Sequence, residues 1–198
     1  VRHKSTPKRE AVQAAVLQAT EELLAAGASY SDLNIERIAT RAGISRTAFY
    51  FYFRDKRDLL MRLTEDVSQQ LYAEADRWYS GTGDPEADIR AGFTNVARLY
   101  DQHSVLLRTV VEVSTYDHDF ARFWRTLMGR FIRATQARIE AEQHAGRAPE
   151  MSARATAFSL VWMAERSFYQ LLEQTQPFAT DELVDALVGV WLRAVYGR

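Results

Sequence analysis

The sequence predicts an all-α protein of about nine helices, on three observations. All four prolines (Pro7, Pro85, Pro149 and Pro177) fall between segments of helical apolar periodicity. Inside such a segment the missing N–H and the ring clash would break the helix. No segment sustains the apolar–polar alternation of a half-buried strand. No Asn-Gly or Asp-Gly pair marks a tight hairpin.

The first helix is expected over about 8–26, because Val12, Val16, Ala19 and Leu23 recur on one helical face. Gly27 supplies its stop. Asn34 is placed to cap a short helix through Arg41, with Ile35, Ile38 and Ala39 facing inward. Gly43 permits the positive φ of a tight turn. Ser45 then caps a second short helix ending near Phe51. Asp55 opens a long helix over about 55–79 with an apolar stripe of Leu59, Leu60, Leu63, Val67 and Leu71. The stretch SGTGDPEAD is the clearest linker, with two glycines and a proline. Later helices are expected at about 85–101, 104–114, 117–145, 151–175 and 180–196. His103-Ser104, Gly146 to Pro149, and Gln176-Pro177 separate them.

At 198 residues the chain can bury a proper core, and its 47% apolar and 26% charged content is that of a soluble globular protein. Cysteine is absent, which excludes disulfides, thiolate catalysis and cysteine-ligated zinc. The opening VRHKSTPKRE is basic but lacks the apolar run of a signal peptide. No stretch approaches the roughly 20 apolar residues of a membrane helix, so a cytoplasmic location without membrane contact is expected. The net charge of −1 conceals an asymmetry. Residues 1–62 hold eleven Lys/Arg against seven Asp/Glu, and the remainder is acidic. A basic N-terminal third suggests a polyanion partner.

Two short helices joined by a glycine turn and braced on both sides describe a helix-turn-helix, whose second helix enters the DNA major groove. Residues three or four apart share a face, so Ile44, Ala48 and Phe49 are expected inward, and Arg46, Thr47 and Tyr50 outward. Arg46 suits guanine O6 and N7, and Thr47 a thymine methyl or a phosphate. Tyr50 and Tyr52 offer hydroxyls to phosphate. Lys56, a cation in the first turn of its helix, is explained by a phosphate contact. Ser45 completes the candidate DNA-binding set. Phe49, Phe51 and Phe53 are expected in the core, and the RHKSTPKR arm is either a phosphate grip or a solvated tail.

The stretch LNIERIATRAGISRTAFYFYFRDKRDLL resembles the DNA-binding domain of the TetR family of one-component repressors. The matching features are Ile38-Ala39, Gly43, Ser45 to Tyr50, Phe53, Lys56 and Leu59-Leu60. The resemblance implies a DNA-binding domain over 1–54 and a ligand-binding and dimerisation domain over 55–198. It further implies a homodimer on a palindromic operator and contacts from Arg46, Thr47, Tyr50, Tyr52 and Lys56. Tyr52 stands where many members have histidine.

The C-terminal helices carry Phe120, Phe123, Trp124, Leu127, Met128, Phe131, Ile132 and Thr135, then Phe158, Trp162, Met163, Phe168 and Tyr169, then Trp191. So many large rings in a small helical body fill a core or surround a hollow. The segments FWRTLMGRFIRATQARIEAEQHAGRAP, ATAFSLVWMAERSFYQ and VGVWLRAVYGR resemble the EthR-type subgroup of that family, which implies an apolar effector channel. The matched positions are Trp124, Met128, Phe131, Thr135, Val161, Ala164 and Trp191. Phe120, Trp162 and Tyr169 complete the candidate ligand-binding set. Val161 and Ala164 replace polar anchors of the subgroup, so the expected effector is an apolar or aromatic small molecule. Leu171, Leu172, Leu183, Leu187, Val190 and Val195 are either dimer interface or monomer core.

No cofactor is implied. Asp117, His118 and Asp119 cluster, but neighbours at a helix start diverge and acids favour that end, so no metal site is expected. Glu165-Arg166 reads as a structural polar pair. Gly129 and Gly189 interrupt helices, for close helix approach or for a ligand. Two other classes stay open. One is an enzyme with an apolar pocket, although no nucleophile, phosphate-loop or metalloprotease motif supports it and only four histidines are present. The other is a DNA binder without a ligand.

Overall fold

The computed structural model describes residues 7–81, 83–174 and 178–197. Most of the basic arm and the Gln176-Pro177 break lie outside the described residues. Among those described, nine helices and no strand are found: α1 (Pro7–Ala25), α2 (Ile35–Arg41), α3 (Arg46–Phe49), α4 (Lys56–Ser80), α5 (Pro85–Gln102), α6 (Ser104–Tyr116), α7 (His118–His144), α8 (Ala153–Glu173) and α9 (Thr180–Tyr196). No helix is long and apolar enough to cross a membrane.

The caps explain where the helices begin. Asn34 accepts a hydrogen bond from the Arg37 N–H at 2.8 Å, Ser45 from Ala48 at 3.0 Å and Asp55 from Asp58 at 2.7 Å. Each satisfies a backbone donor that the first helical turn leaves free. Gly43 takes φ +70° between α2 and α3, where an L side chain is strained.

α1, α2 and α3 form a compact N-terminal trio around Val16, Leu24, Ile38, Ala39, Phe49 and Phe53, all buried. α4 continues from it into the body, where it packs along α5 and α7. α7 and α8 form the most extensive helix pair. Three polar ties brace the trio and the start of α4 against the rest. Arg57 on α4 reaches Asp117 at 2.7 Å and Asp119 at 2.8 Å, at the start of α7. His103 faces Glu21 at 3.3 Å. Lys56 donates to the Tyr30 carbonyl at 2.6 Å and the Ser31 carbonyl at 3.2 Å.

At the far end of the body, Glu142 is fully buried between Arg138, itself nearly buried, and Arg147. Arg147 donates from Nε at 2.7 Å and from Nη2 at 3.2 Å. Arg138 also covers Gly81, the left-handed C-cap of α4, so closely that an added Cβ would lie 1.6 Å from its Nη1. Beside Gly129 and Gly189 lie the guanidinium groups of their own helices' arginines one turn on, Arg133 and Arg193. Close backbone approach occurs instead at Gly92, where a Cβ would sit 3.5 Å from the Glu74 carbonyl.

Candidate functional site

The outer face of α3 carries Arg46, Thr47 and Tyr50, all exposed, with Ser45 at its capped start. Behind them Phe49 is fully buried. It packs against Phe53 at 5.3 Å and edge-on to Tyr50 at 5.7 Å between ring centroids. Tyr52 is half-buried against the same core. One expectation fails here: Phe51 is not core but 74% exposed. The chain past α3 keeps turning helically, with the Phe53 N–H bonded to the Phe49 carbonyl at 3.0 Å. On a helical turn residues 49 and 53 share a face and 51 points away. Residues 49, 51 and 53 would share a face only in a strand, where side chains alternate by twos.

Lys56 has partners within the chain. Its ammonium group sits 4.4 Å from the Tyr30 ring centroid and uses two of its three donors on backbone carbonyls. These carbonyls hold a cation at this helix start within the chain itself. Burial pushes its pKa down from the ordinary lysine value.

The second feature is a partly open cavity of about 110 Å³ lined by α4, α5, α7, α8 and α9. Trp78 and Phe93 both meet Trp191 edge-on, each at 5.2 Å. Tyr100 and Phe168 lie 5.2 Å apart beside them. Burial pushes the Tyr100 phenol well above its ordinary pKa. The wall is almost wholly apolar, but it includes Ser68, Asp88 and Glu165. Asp88 has Arg77 3.2 Å from its Oδ1, an ion pair without a well-formed hydrogen bond.

Comparison with known proteins bears on both features. Residues 16–63 match the family model of bacterial regulatory proteins of the TetR family. Residues 89–197, more than half the chain, match the model of the C-terminal domain of the transcriptional regulator EthR. The HTH-type transcriptional regulator EthR of Mycolicibacterium smegmatis is 32% identical over 99% of this chain and 91% of its own length. The chain belongs to the TetR family of transcriptional regulators.

Solved structures share its fold at lower identity. NalD of Pseudomonas aeruginosa, the secondary repressor of a multidrug efflux pump, superposes with a TM-score of 0.76 at 20% identity, covering 95% of this chain and 98% of that one. The fatty acid degradation regulator FadR of Bacillus halodurans gives 0.74 at 14%, covering 98% and 97%. TetR-family proteins are regulators and not enzymes, so the catalytic alternative is set aside.

Within this TetR-family body, the cavity brings together Trp124, Met128, Phe131, Val161, Ala164 and Trp191 from the expected ligand set. It leaves out Phe120, Thr135, Trp162 and Tyr169. Phe120 is fully buried one turn before Trp124, against Phe123 at 5.8 Å. Thr135 is buried beside the Tyr79 phenol, without a well-formed hydrogen bond. On α8 the cavity face is Val161, Ala164, Glu165 and Phe168, spaced i, i+3, i+4 and i+7. Trp162 and Tyr169 each sit one residue, about 100°, off that face. Trp162 pairs with exposed Phe158 instead, and Tyr169 is covered by Arg166.

The α4 and α5 walls (Leu71, Ala75, Trp78, Tyr79, Ile89, Phe93, Val96 and Tyr100) were missed. The helical stripe on α4 was the available signal, but a stripe facing a core and one facing a cavity look alike in sequence. Of the expected dimer residues, Leu183, Leu187 and Val195 are buried in this chain's own core. Leu171 and Leu172 are half-buried and Val190 is exposed.

Glu165 and Arg166 form the expected polar pair, a loose one with 3.9 Å between Oε2 and Nε. Burial raises its carboxyl pKa above the ordinary 4.5, and Arg166 offsets this in part. The native state therefore holds this proton to higher pH than the unfolded chain does. Stability falls as pH rises from about 4.5 through the raised native value. Glu165→Gln is expected to remove that decline, so its advantage in urea denaturation grows with pH across this window. A difference constant with pH would count against it.

Proposed function

We propose that this TetR-family regulator is a homodimeric repressor that reads a palindromic operator with α3 and is released by a small ligand in the body cavity. The observation that carries this reading is the position of α4. Its first residue is tied to the N-terminal trio through Lys56, and its later turns, at Leu71, Ala75 and Trp78, form the cavity wall. We assign residues 1–54 to DNA binding and 55–198 to ligand binding and dimerisation. In a dimer built through α8 and α9, the available apolar surface is Phe158, Leu171, Leu172 and Val190. Two copies of α3 would then read major-groove faces one helical turn, about 34–36 Å, apart or a multiple of it. Release requires that the ligand bind the DNA-incompetent conformer better than the competent one. Binding of the protein to DNA fragments upstream of its neighbouring genes, with and without ligand, tests the whole scheme. Sedimentation tests the dimer.

Arg46, Thr47 and Tyr50 are the contacts assigned to this surface, with Ser45 and Tyr52 at its margins. Arg46→Ala is expected to weaken operator binding by about 1–3 kcal/mol and to relax base preference at one position. Fluorescence anisotropy on operator and scrambled duplexes checks it. Equal loss on both would reduce Arg46 to a phosphate contact.

A further inference from the structure

The cavity is one-sided in charge. Its two charged-type residues are Asp88 and Glu165, and no lysine, arginine or histidine lines it. Asp88 already has Arg77 at 3.2 Å. Glu165 has only the looser Arg166, at 3.9 Å. Only 4% of its side chain reaches solvent, and Oε2 makes no hydrogen bond among the described residues. Arg166 stacks over Tyr169 at 5.0 Å, with its Nε beyond hydrogen-bond reach of that oxygen.

With Glu165 the cavity wall carries the rings of Trp78, Phe93, Tyr100, Trp124, Phe168 and Trp191. An aromatic wall attracts cations through the ring quadrupole, most strongly where water is excluded. A buried carboxylate without a counter-charge is costly, and a ligand that supplies the charge removes that cost. An anionic ligand would meet two acids and no base. A cavity of about 110 Å³ is on the scale of a single ring, and because it is partly open a short chain can extend from it.

We propose that the cavity selects a small lipophilic amine bound as its ammonium ion, with the charge held by Glu165 and the carbon skeleton by the surrounding rings. This deepens the preceding function and rests on its assignment of the cavity as the effector site.

The test compares three probes of matched shape and different charge: 2-phenylethylamine, 2-phenylethanol and phenylacetate. Affinity is read by calorimetry and by quenching of tryptophan fluorescence, since three tryptophans line the cavity. The amine is expected to bind at least about tenfold more tightly than the alcohol, and phenylacetate most weakly. In Glu165→Gln and Glu165→Leu, each checked for native helix content by circular dichroism, the amine is expected within about twofold of the alcohol. Equal affinity for amine and alcohol in the unmodified protein overturns the proposal. So does a preference for the amine that survives both substitutions, or no binding of any probe. If neither variant folds, the ranking in the unmodified protein decides. DNA release is measured separately. Amine binding that leaves operator affinity unchanged keeps the ligand class and removes the release step.

Discussion

Phe49→Ala is expected to lower stability by about 3–5 kcal/mol. The ring is fully buried between α3 and its supporting helices and packs against Phe53 and Tyr50. Truncation removes its buried area and leaves a void that close-packed neighbours fill only in part. The loss falls on the short helix that carries Arg46 and Thr47. Operator affinity should therefore drop even where the C-terminal helices remain folded. Phe51→Ala is the matched control. That ring is largely exposed, so its removal should change stability by no more than about 0.5 kcal/mol. Urea denaturation of both variants checks the pair. Similar midpoints for the two would show that Phe49 is not the pin described.

The second large effect is expected at Glu142. Glu142→Ala leaves Arg138 nearly buried without its carboxylate, and breaking such a pair from one side costs about 3–5 kcal/mol. Arg147→Ala should cost much less. Arg147 is 59% exposed and Arg138 still balances Glu142 when it is gone. Replacing both Glu142 and Arg138 by leucine should recover much of the loss, since the only charge then left without its partner, Arg147, is exposed. Additive losses in the double variant would contradict this account of the pair.

The fold was legible because its signals were local. Asn34, Ser45 and Asp55 cap the helices they were expected to cap. Element boundaries moved by a few residues at most, as at α3, which ends at Phe49 rather than near Phe51. The expected cavity wall was legible in part. α7 and α8 announce themselves by rings at helical spacing, yet that spacing fixes a face only to within about one residue. Trp162 and Tyr169 were therefore included, while Glu165, on the correct face, was read as half of an ion pair. The partners of Lys56 were not legible, because the Tyr30 and Ser31 carbonyls approach it only through the tertiary fold.

α4 has 25 residues, which at 1.5 Å each makes a rod of about 37 Å. One end carries the N-terminal trio and the other reaches the Arg138–Glu142 cluster. A rigid rod turns small angles into long strokes. A tilt of about 5° about its far end sweeps the near end through about 3 Å, close to the roughly 3.4 Å spacing of successive bases along a strand. A change in wall position too small to disturb the packing of one side chain could thus shift the reading surface by a whole base step.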